Sequence, residues 1–527
     1  MRHFLLLVIA WSTIAAHAQG YGWDWAWSAG SAGSENAQVS ISPQGDVHVY
    51  GGFENSIDAN GTTLTSSGQD DGFVLSLAAD GSVNWSAVAH HTGSLTVHDV
   101  AYRSSGEVVV CGTVFHNGDA AQFGAFSLEG MEFGTQAFVG GLSPAGEWLW
   151  VSGVGGPIST EGWLVEVDGA DAILLGCKWG NGLAVYRYTG AGVAGWSASA
   201  TSTGSSVDLY AMDVLPDGNL VLTGRCYGSG TFGANTISVS GNFYDAYVAR
   251  LSVEGDWIWV RQAGGSHWDK GFGVIADEQG DVYVAGTFRN TATFGTAQVT
   301  ATGSNNDGWL AKLNGNGDWQ WVVQMGSTAY MEVYGMDMND DGDRLVLTGS
   351  YAFNTPTIGG YDLPAPASND LYVIEYSTAG EVLGAYGAGS TGNDNGSGVA
   401  YGADGALYVA GVFGAPLQLG PIALTSVATP DLWVGRLSPV ISTGSAVQDR
   451  PDPVAMRYAS DGTVWMATDG TAGELDVFDA RGRQVLGTQL MGSGPHALGT
   501  LVAPAGLHTW IFTAVDGRRT KGKVVIQ

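Results

Sequence analysis

Asp337-x-Asn339-x-Asp341-Gly342 places oxygen donors two residues apart, the way the first half of a calcium loop does. The twelfth position, where a glutamate would complete such a loop, is Thr348. Calcium at Asp337, Asn339 and Asp341 is therefore the metal expectation, and no other cofactor is expected. A second group of acids, Glu35, Glu161, Asp208, Asp269, Glu332 and Asp394, recurs just ahead of a repeated strand signal. A ring of them could hold a cation, but their register slips from copy to copy, which suits turn capping better. A third set, Asp71, Asp245, Asp307, Asp370 and Asp431, opens another repeated strand, where a short carboxylate accepts loop N–H bonds. There is no G-x-S-x-G, no H-E-x-x-H and no phosphate-binding glycine loop. The histidines are scattered, with His90, His91 and His98 in one region. No catalytic residue is expected, and the chain is read as a non-enzyme.

The elements that position these residues form a repeat. Val274–Gly286, Met336–Gly349 and Val399–Gly411 each read strand, turn, strand and closing glycine. Four looser copies complete a set closed by Gly51, Gly112, Gly176, Gly224, Gly286, Gly349 and Gly411. Successive differences in these numbers are 61, 64, 48, 62, 63 and 62 residues. Each unit carries four strand signals, as in Gly273–Ala276, Asp281–Phe288, Gly308–Leu313 and Asp318–Val322. A repeat of this length made only of strands and turns predicts an all-β, seven-bladed β-propeller.

Tryptophans stand two apart in the fourth strand, at Trp148/Trp150, Trp257/Trp259 and Trp319/Trp321. Period-two spacing predicts both rings on one face, filling the space between blades. The seventh unit stops after Leu432–Leu437 with no Trp-x-Trp, while Trp23-Asp24-Trp25-Ala26-Trp27 precedes the first unit. This N-terminal segment is expected to add as the fourth strand of the seventh blade, removing the open sheet edge.

Arg2 and His3, the apolar run to Trp11 and Ala16-His17-Ala18 read as a signal peptide over residues 1–18. No later stretch has the length and unbroken apolarity of a transmembrane helix. Residues 19–440 hold 11 Lys/Arg and 42 Asp/Glu, so 11 − 42 gives −31, which argues against nucleic-acid and anionic-membrane partners. Cys111, Cys177 and Cys226 are expected as small buried residues with room for one bridge.

The blade pattern, with Gly280-Asp281-Val282-Tyr283-Val284-Ala285-Gly286 followed by Asp307-Gly308-Trp309, resembles the bacterial seven-bladed β-propeller repeat family. That resemblance spans roughly residues 21–440 and implies a fold rather than an activity. Residues 441–453 read as a linker. Residues 454–527 have the pattern of a small β-sandwich and resemble the type A C-terminal sorting domain of type IX secretion. The resemblance rests on Val477, Asp479, Gly482, Arg483 and Val485, on Gly506, and on a basic end with Arg518, Arg519, Lys521 and Lys523. His508 stands where an aromatic is usual in that family. The resemblance implies a Gram-negative protein carried to the cell exterior, with the type IX translocon and its sorting peptidase as partners.

Gly81…Trp85, Gly146…Trp150, Gly255…Trp259 and Gly317…Trp321 share a spacing that resembles the tryptophan docking motif of quinoprotein dehydrogenases. Those enzymes usually have eight blades and several carry a Cys-Cys pair, so a common blade turn is the expected cause here. The whole reads as a secreted or surface binding module for a glycan or protein. A propeller-based enzyme, polysaccharide-active or quinoprotein-like, and a purely structural surface protein are the alternatives. Specificity is expected in the long loops between second and third strands, such as Arg289–Asn306, Ser229–Asn242 and Ala352–Asn369.

Overall fold

In the computed structural model the chain divides into two compact units, Met1–Ile441 and Ser442–Gln527. The structure describes residues 21–439 except 32, 34, 155–158, 191–192, 205, 240–242, 327–328 and 428–429. In the second unit it describes the strands and little between them. The signal-like segment 1–18 and the linker 441–453 lie outside the described residues. Every regular element described is a strand, and among the described residues no helix is long and apolar enough to cross a membrane.

The first unit is a seven-bladed β-propeller. Blade 4 is representative: strand A is Val207–Val214, strand B Leu220–Tyr227, strand C Tyr244–Leu251 and strand D Trp257–Gly265, paired in that order. The seven A strands are Glu35–Ile41, Ser94–Tyr102, Thr160–Val167, Val207–Val214, Lys270–Ala276, Tyr330–Met338 and Asn395–Tyr401. The N-terminal strand Tyr21–Ala29 closes blade 7 against Asp431–Pro439, from Tyr21 opposite Pro439 to Ala29 opposite Leu432. The closure inferred from the missing Trp-x-Trp is thus the one the fold uses.

The closing glycines have a steric cause. A Cβ on Gly224, Gly286, Gly349 or Gly411 would overlap the carbonyl oxygen of Asp208, Lys270, Glu332 or Asn395 on the facing A strand. A ring from strand C crosses the same spot in three of these blades and donates to that carbonyl: Tyr247 at 3.1 Å, Tyr372 at 2.9 Å and Trp433 at 3.2 Å. Only glycine leaves room for both. The A–B turns are held by a side-chain cap, as where Asp277 Oδ1 accepts the amides of Gln279 at 3.0 Å and Asp281 at 2.9 Å.

The fourth-strand tryptophans do not share a face. A β-bulge falls between the members of each pair, opposite Gly141/Leu142, Arg250/Leu251 and Lys312/Leu313, and turns the two rings apart. Trp257 donates to the Ser199 carbonyl of the preceding blade at 3.0 Å. Trp259 lies on Gly317 of the following blade and donates to Gly315 O at 3.3 Å. The pattern recurs with Trp85 on Gly146, donating to Pro144 O at 3.0 Å, and with Trp196 on Gly255, donating to Val253 O at 2.7 Å. The G-x-x-x-W spacing is this clamp: the glycine lies bare beneath the preceding blade's indole.

The long B–C loops have regular structure of their own. They fold into hairpins, Ser229–Phe232 with Asn235–Ser238 and Thr291–Phe294 with Ala297–Thr300 among them. These two hairpins pair with the outer strand of the preceding blade, Phe232 with Ala200 and Phe294 with Ala263. They strap blades together at the rim, a structural use that explains why they are long. Blade 3 has no such hairpin; its B strand turns back through Gly180 and Asn181, which accounts for the 48-residue spacing.

In the second unit, Val454–Tyr458, Thr463–Thr468 and Gly494–Thr500 form one sheet. Gln484–Leu490, Gly473–Phe478, Gly506–Ala514 and Arg519–Ile526 form another. Val477 is buried and lies opposite Leu486 and Trp510, and Val485 is partly buried. Arg483 is exposed. Gly506, Arg519, Lys521 and Lys523 sit in the last two strands, while Asp479, Gly482 and Arg518 fall outside the described residues.

Candidate functional site

Seven A strands converge on a central channel, and six of them carry a β-bulge at one position. The bulged residues are His98, Trp163, Tyr210, Phe272, Tyr334 and Ser397; the A strand of blade 1 pairs without one. A bulge sets two residues of one strand opposite one of its partner, so the ring can turn inward without displacing the strand. Five consecutive blades therefore present an aromatic side chain at one level, and together they line a cavity of about 560 Å³. His98 stacks on Trp163 with centroids 5.7 Å apart, Tyr210 on Phe272 at 5.0 Å, and Phe272 meets Tyr334 edge-on at 6.2 Å. Tyr334 is 39% exposed.

Toward the A–B turns the lining becomes acidic, with Asp99, Glu166, Asp213 and Asp337. Three of these are latches between blades. Asp99 of blade 2 accepts the Val165 amide of blade 3 at 2.9 Å. Asp213 of blade 4 accepts Ala276 N of blade 5 at 2.7 Å, and Asp337 of blade 6 accepts Tyr401 N of blade 7 at 2.7 Å. Glu166 bonds the Val167 amide of its own strand. Burial lifts Asp99 and Asp337 to about 7 and Asp213 to about 6. It raises Glu166 as well, helped by the charges of Asp213 and Asp99. Burial also lowers His98 to about 4, so its imidazole is neutral in the channel near pH 7. Among the described residues lining this cavity there is no lysine or arginine. A second cavity of about 470 Å³ shares Val39, Tyr50, Met336, Asp337 and Val399 and reaches Gln44, Asp340 and Ala403 at the A–B turns.

The opposite mouth is mixed in charge. Asp208 pairs with Arg225 at 2.6 Å and Glu161 with Lys178 at 3.9 Å. Glu332 accepts from Tyr330 at 2.6 Å and from Asn306 at 3.0 Å. The acids ahead of strand A thus divide. These three bond to side chains at the mouth, Glu332 being buried there, whereas Glu35, Asp269 and Asp394 are buried turn caps, accepting Ser31 N at 2.9 Å, Gly265 N at 2.8 Å and Ser390 N at 2.5 Å. They are not one ring. The acids opening strand C are buried and accept loop amides, Ser67 N on Asp71 at 2.7 Å and Thr302 N on Asp307 at 3.2 Å.

The calcium-loop residues are placed apart in purpose. Asp337 faces the channel, while Asn339 Oδ1 accepts Asp343 N at 3.1 Å and Arg344 N at 2.9 Å within the turn. Among the described residues no three His, Cys, Asp or Glu side chains form a group that could hold a metal ion. The three cysteines are buried and free, with burial raising the Cys177 thiol to about 12. The aromatic collar is absent from the expectations above, yet it has a sequence signal. A ring stands 14 residues ahead of Gly112, Gly224 and Gly286, 13 ahead of Gly176 and 15 ahead of Gly349.

No family model matches the chain. An uncharacterised WD repeat-containing protein of Acanthamoeba polyphaga mimivirus is 23% identical over 289 residues, 49% of this chain and 21% of that protein. The match thus spans about a fifth of the length of that relative. Three solved structures are similar in fold alone. A Bacteroides caccae protein of unknown function is 9% identical, covering 67% of this chain and 93% of that one, with a TM-score of 0.33. Quinohemoprotein alcohol dehydrogenase from Comamonas testosteroni is 12% identical, covering 82% and 80%, with a TM-score of 0.37. PorZ, a surface component of the type IX secretion system of Porphyromonas gingivalis, is 11% identical, covering 93% and 74%, with a TM-score of 0.32.

Proposed function

We propose that this protein is an exported, non-enzymatic binding module whose propeller seats a ligand in the central channel. The observation that carries this reading is the collar. Five aromatic side chains are turned inward by bulges at one level, and they border a cavity instead of filling the space between sheets. Rings in a concave site with a few fixed polar groups are the usual material of recognition. All four acids beneath the collar are engaged with main-chain amides, a positioning role that favours binding over catalysis. The acidic propeller also suits a cationic or neutral partner better than a phosphate-bearing one.

Residues 454–527 act, in this reading, as the type IX export address, supported by the paired strands carrying Val477 and Val485 and by the basic last strand. The full chain from residue 19 would be tested on glycan and peptide arrays, with calcium and with chelator. Binding should survive chelator and weaken at least tenfold in Tyr334→Ala with the circular dichroism unchanged. Blank arrays, or binding indifferent to Tyr334, would reject the channel. Turnover of an alcohol or polysaccharide would favour the enzyme reading. Truncation after Ile441 should leave the protein inside the outer membrane; undiminished release would remove the export role from the second unit.

A further inference from the structure

The channel binding site has a composition that selects among ligands. Below the collar the charged side chains lining it are all carboxylates, and they face one another closely enough that Asp99 and Asp213 both act on Glu166. Their burial has a cost that no cation among the described lining residues offsets, since these include no lysine or arginine. The collar rings are suited to cations too. Lys270 lies over Phe272 at 5.3 Å and Arg225 over Tyr210 at 5.6 Å, two of the protein's own positive groups already on these rings. Once ionised, these carboxyl groups accept hydrogen bonds and donate none, and a cation among them favours the ionised form, so the acid belt answers an ammonium group, with its three donors, better than it answers a carboxylate or phosphate.

We propose that the channel takes the alkylammonium end of a cationic ligand, its methylene stem passing the aromatic collar and its ammonium group lying among Asp99, Glu166, Asp213 and Asp337. This rests on reading the channel as the binding site and adds the chemistry of what it holds. The shared chemistry is a primary amine on a flexible aliphatic stem. A free polyamine and a lysine side chain on a partner protein both present it. About 560 Å³ accommodates a slender chain of this kind, and the adjoining cavity beside Asp340 extends the same anionic path.

Calorimetric titration of the full chain with spermidine, with a short lysine-bearing peptide and with a neutral disaccharide tests this. Spermidine or the peptide should bind with saturable heat, and the disaccharide should give none. Tighter binding of spermidine would point to a free polyamine, tighter binding of the peptide to a protein partner. Glu166→Gln removes a carboxylate that is not a latch between blades and should weaken binding at least tenfold. Trp163→Leu should weaken it about fivefold through the lost cation–π and stacking contact. Glu254→Gln, on an exposed turn, removes the same charge elsewhere and should change affinity less than twofold. The proposal is overturned if neither amine binds the folded protein, or if Glu254→Gln weakens binding as much as Glu166→Gln does. Should the amines fail while array binding persists and still depends on Tyr334, the cationic ligand falls and the binding module stands. Blank arrays as well would remove both.

Discussion

The rim and the channel of this propeller use the same device to opposite ends. At the rim, a bulge in strand D separates two tryptophans, so that Trp257 reaches the preceding blade and Trp259 the following one. In the channel, a bulge in strand A turns Trp163, Tyr210 and Phe272 toward the axis. The rim rings lie on bare glycines and donate to backbone carbonyls of the neighbouring blades. The channel rings touch one another and a cavity. Residue type does not separate a packing tryptophan from a recognising one; what the bulge aims it at does.

Opening the ring should have the largest effect. Removing residues 21–29 deletes the fourth strand of blade 7 and exposes the edge of Asp431–Pro439. Loss of cooperative unfolding and the appearance of aggregates by size-exclusion chromatography are expected. Next comes the contrast itself. Trp259→Ala should cost about 3–5 kcal/mol in denaturant unfolding, as deletion of a large buried side chain does. Trp163→Leu should cost about 1 kcal/mol or less, because its ring borders open space. Equal losses would erase the distinction between rim and channel. Gly286→Ala should then cost about 1–3 kcal/mol, since the added carbon displaces either Lys270 O or Trp309.

The smallest effect is a pH dependence seated in the channel. Asp99 and Asp337 titrate at about 7 when folded, against an unfolded value of about 4. The native state therefore holds protons that the unfolded chain has released, and their contribution to stability, full below about pH 4, is lost as pH rises through 7. His98, lowered to about 4, works the other way: its contribution is present above its unfolded value near 6.5 and lost as pH falls toward 4. The melting temperature should rise on acidification from pH 8 toward pH 4, with His98 taking back part of the gain below about 6.5. Asp337→Asn should flatten that rise while keeping an oxygen for the Tyr401 amide. A melting temperature unchanged between pH 8 and 6.5 would show that these acids are ionised in the native channel.

Much of this was legible in the chain alone. Seven closing glycines, four strand signals per unit and a displaced Trp-x-Trp determined the blade count and the manner of closure, because glycine and β-periodic sequence report local backbone geometry. The turn caps Asp277 and Asp394 were readable for the same reason. What the tertiary structure decided were the bulges. One inserted residue changes which way a side chain faces, and although a ring recurs 13 to 15 residues ahead of five closing glycines, that spacing does not say which way it faces. Hence the paired tryptophans were expected on one face and the acids of Glu35 and Glu161 in one set. The channel, with its collar and acid belt, exists only where seven strands from distant parts of the sequence meet at one axis.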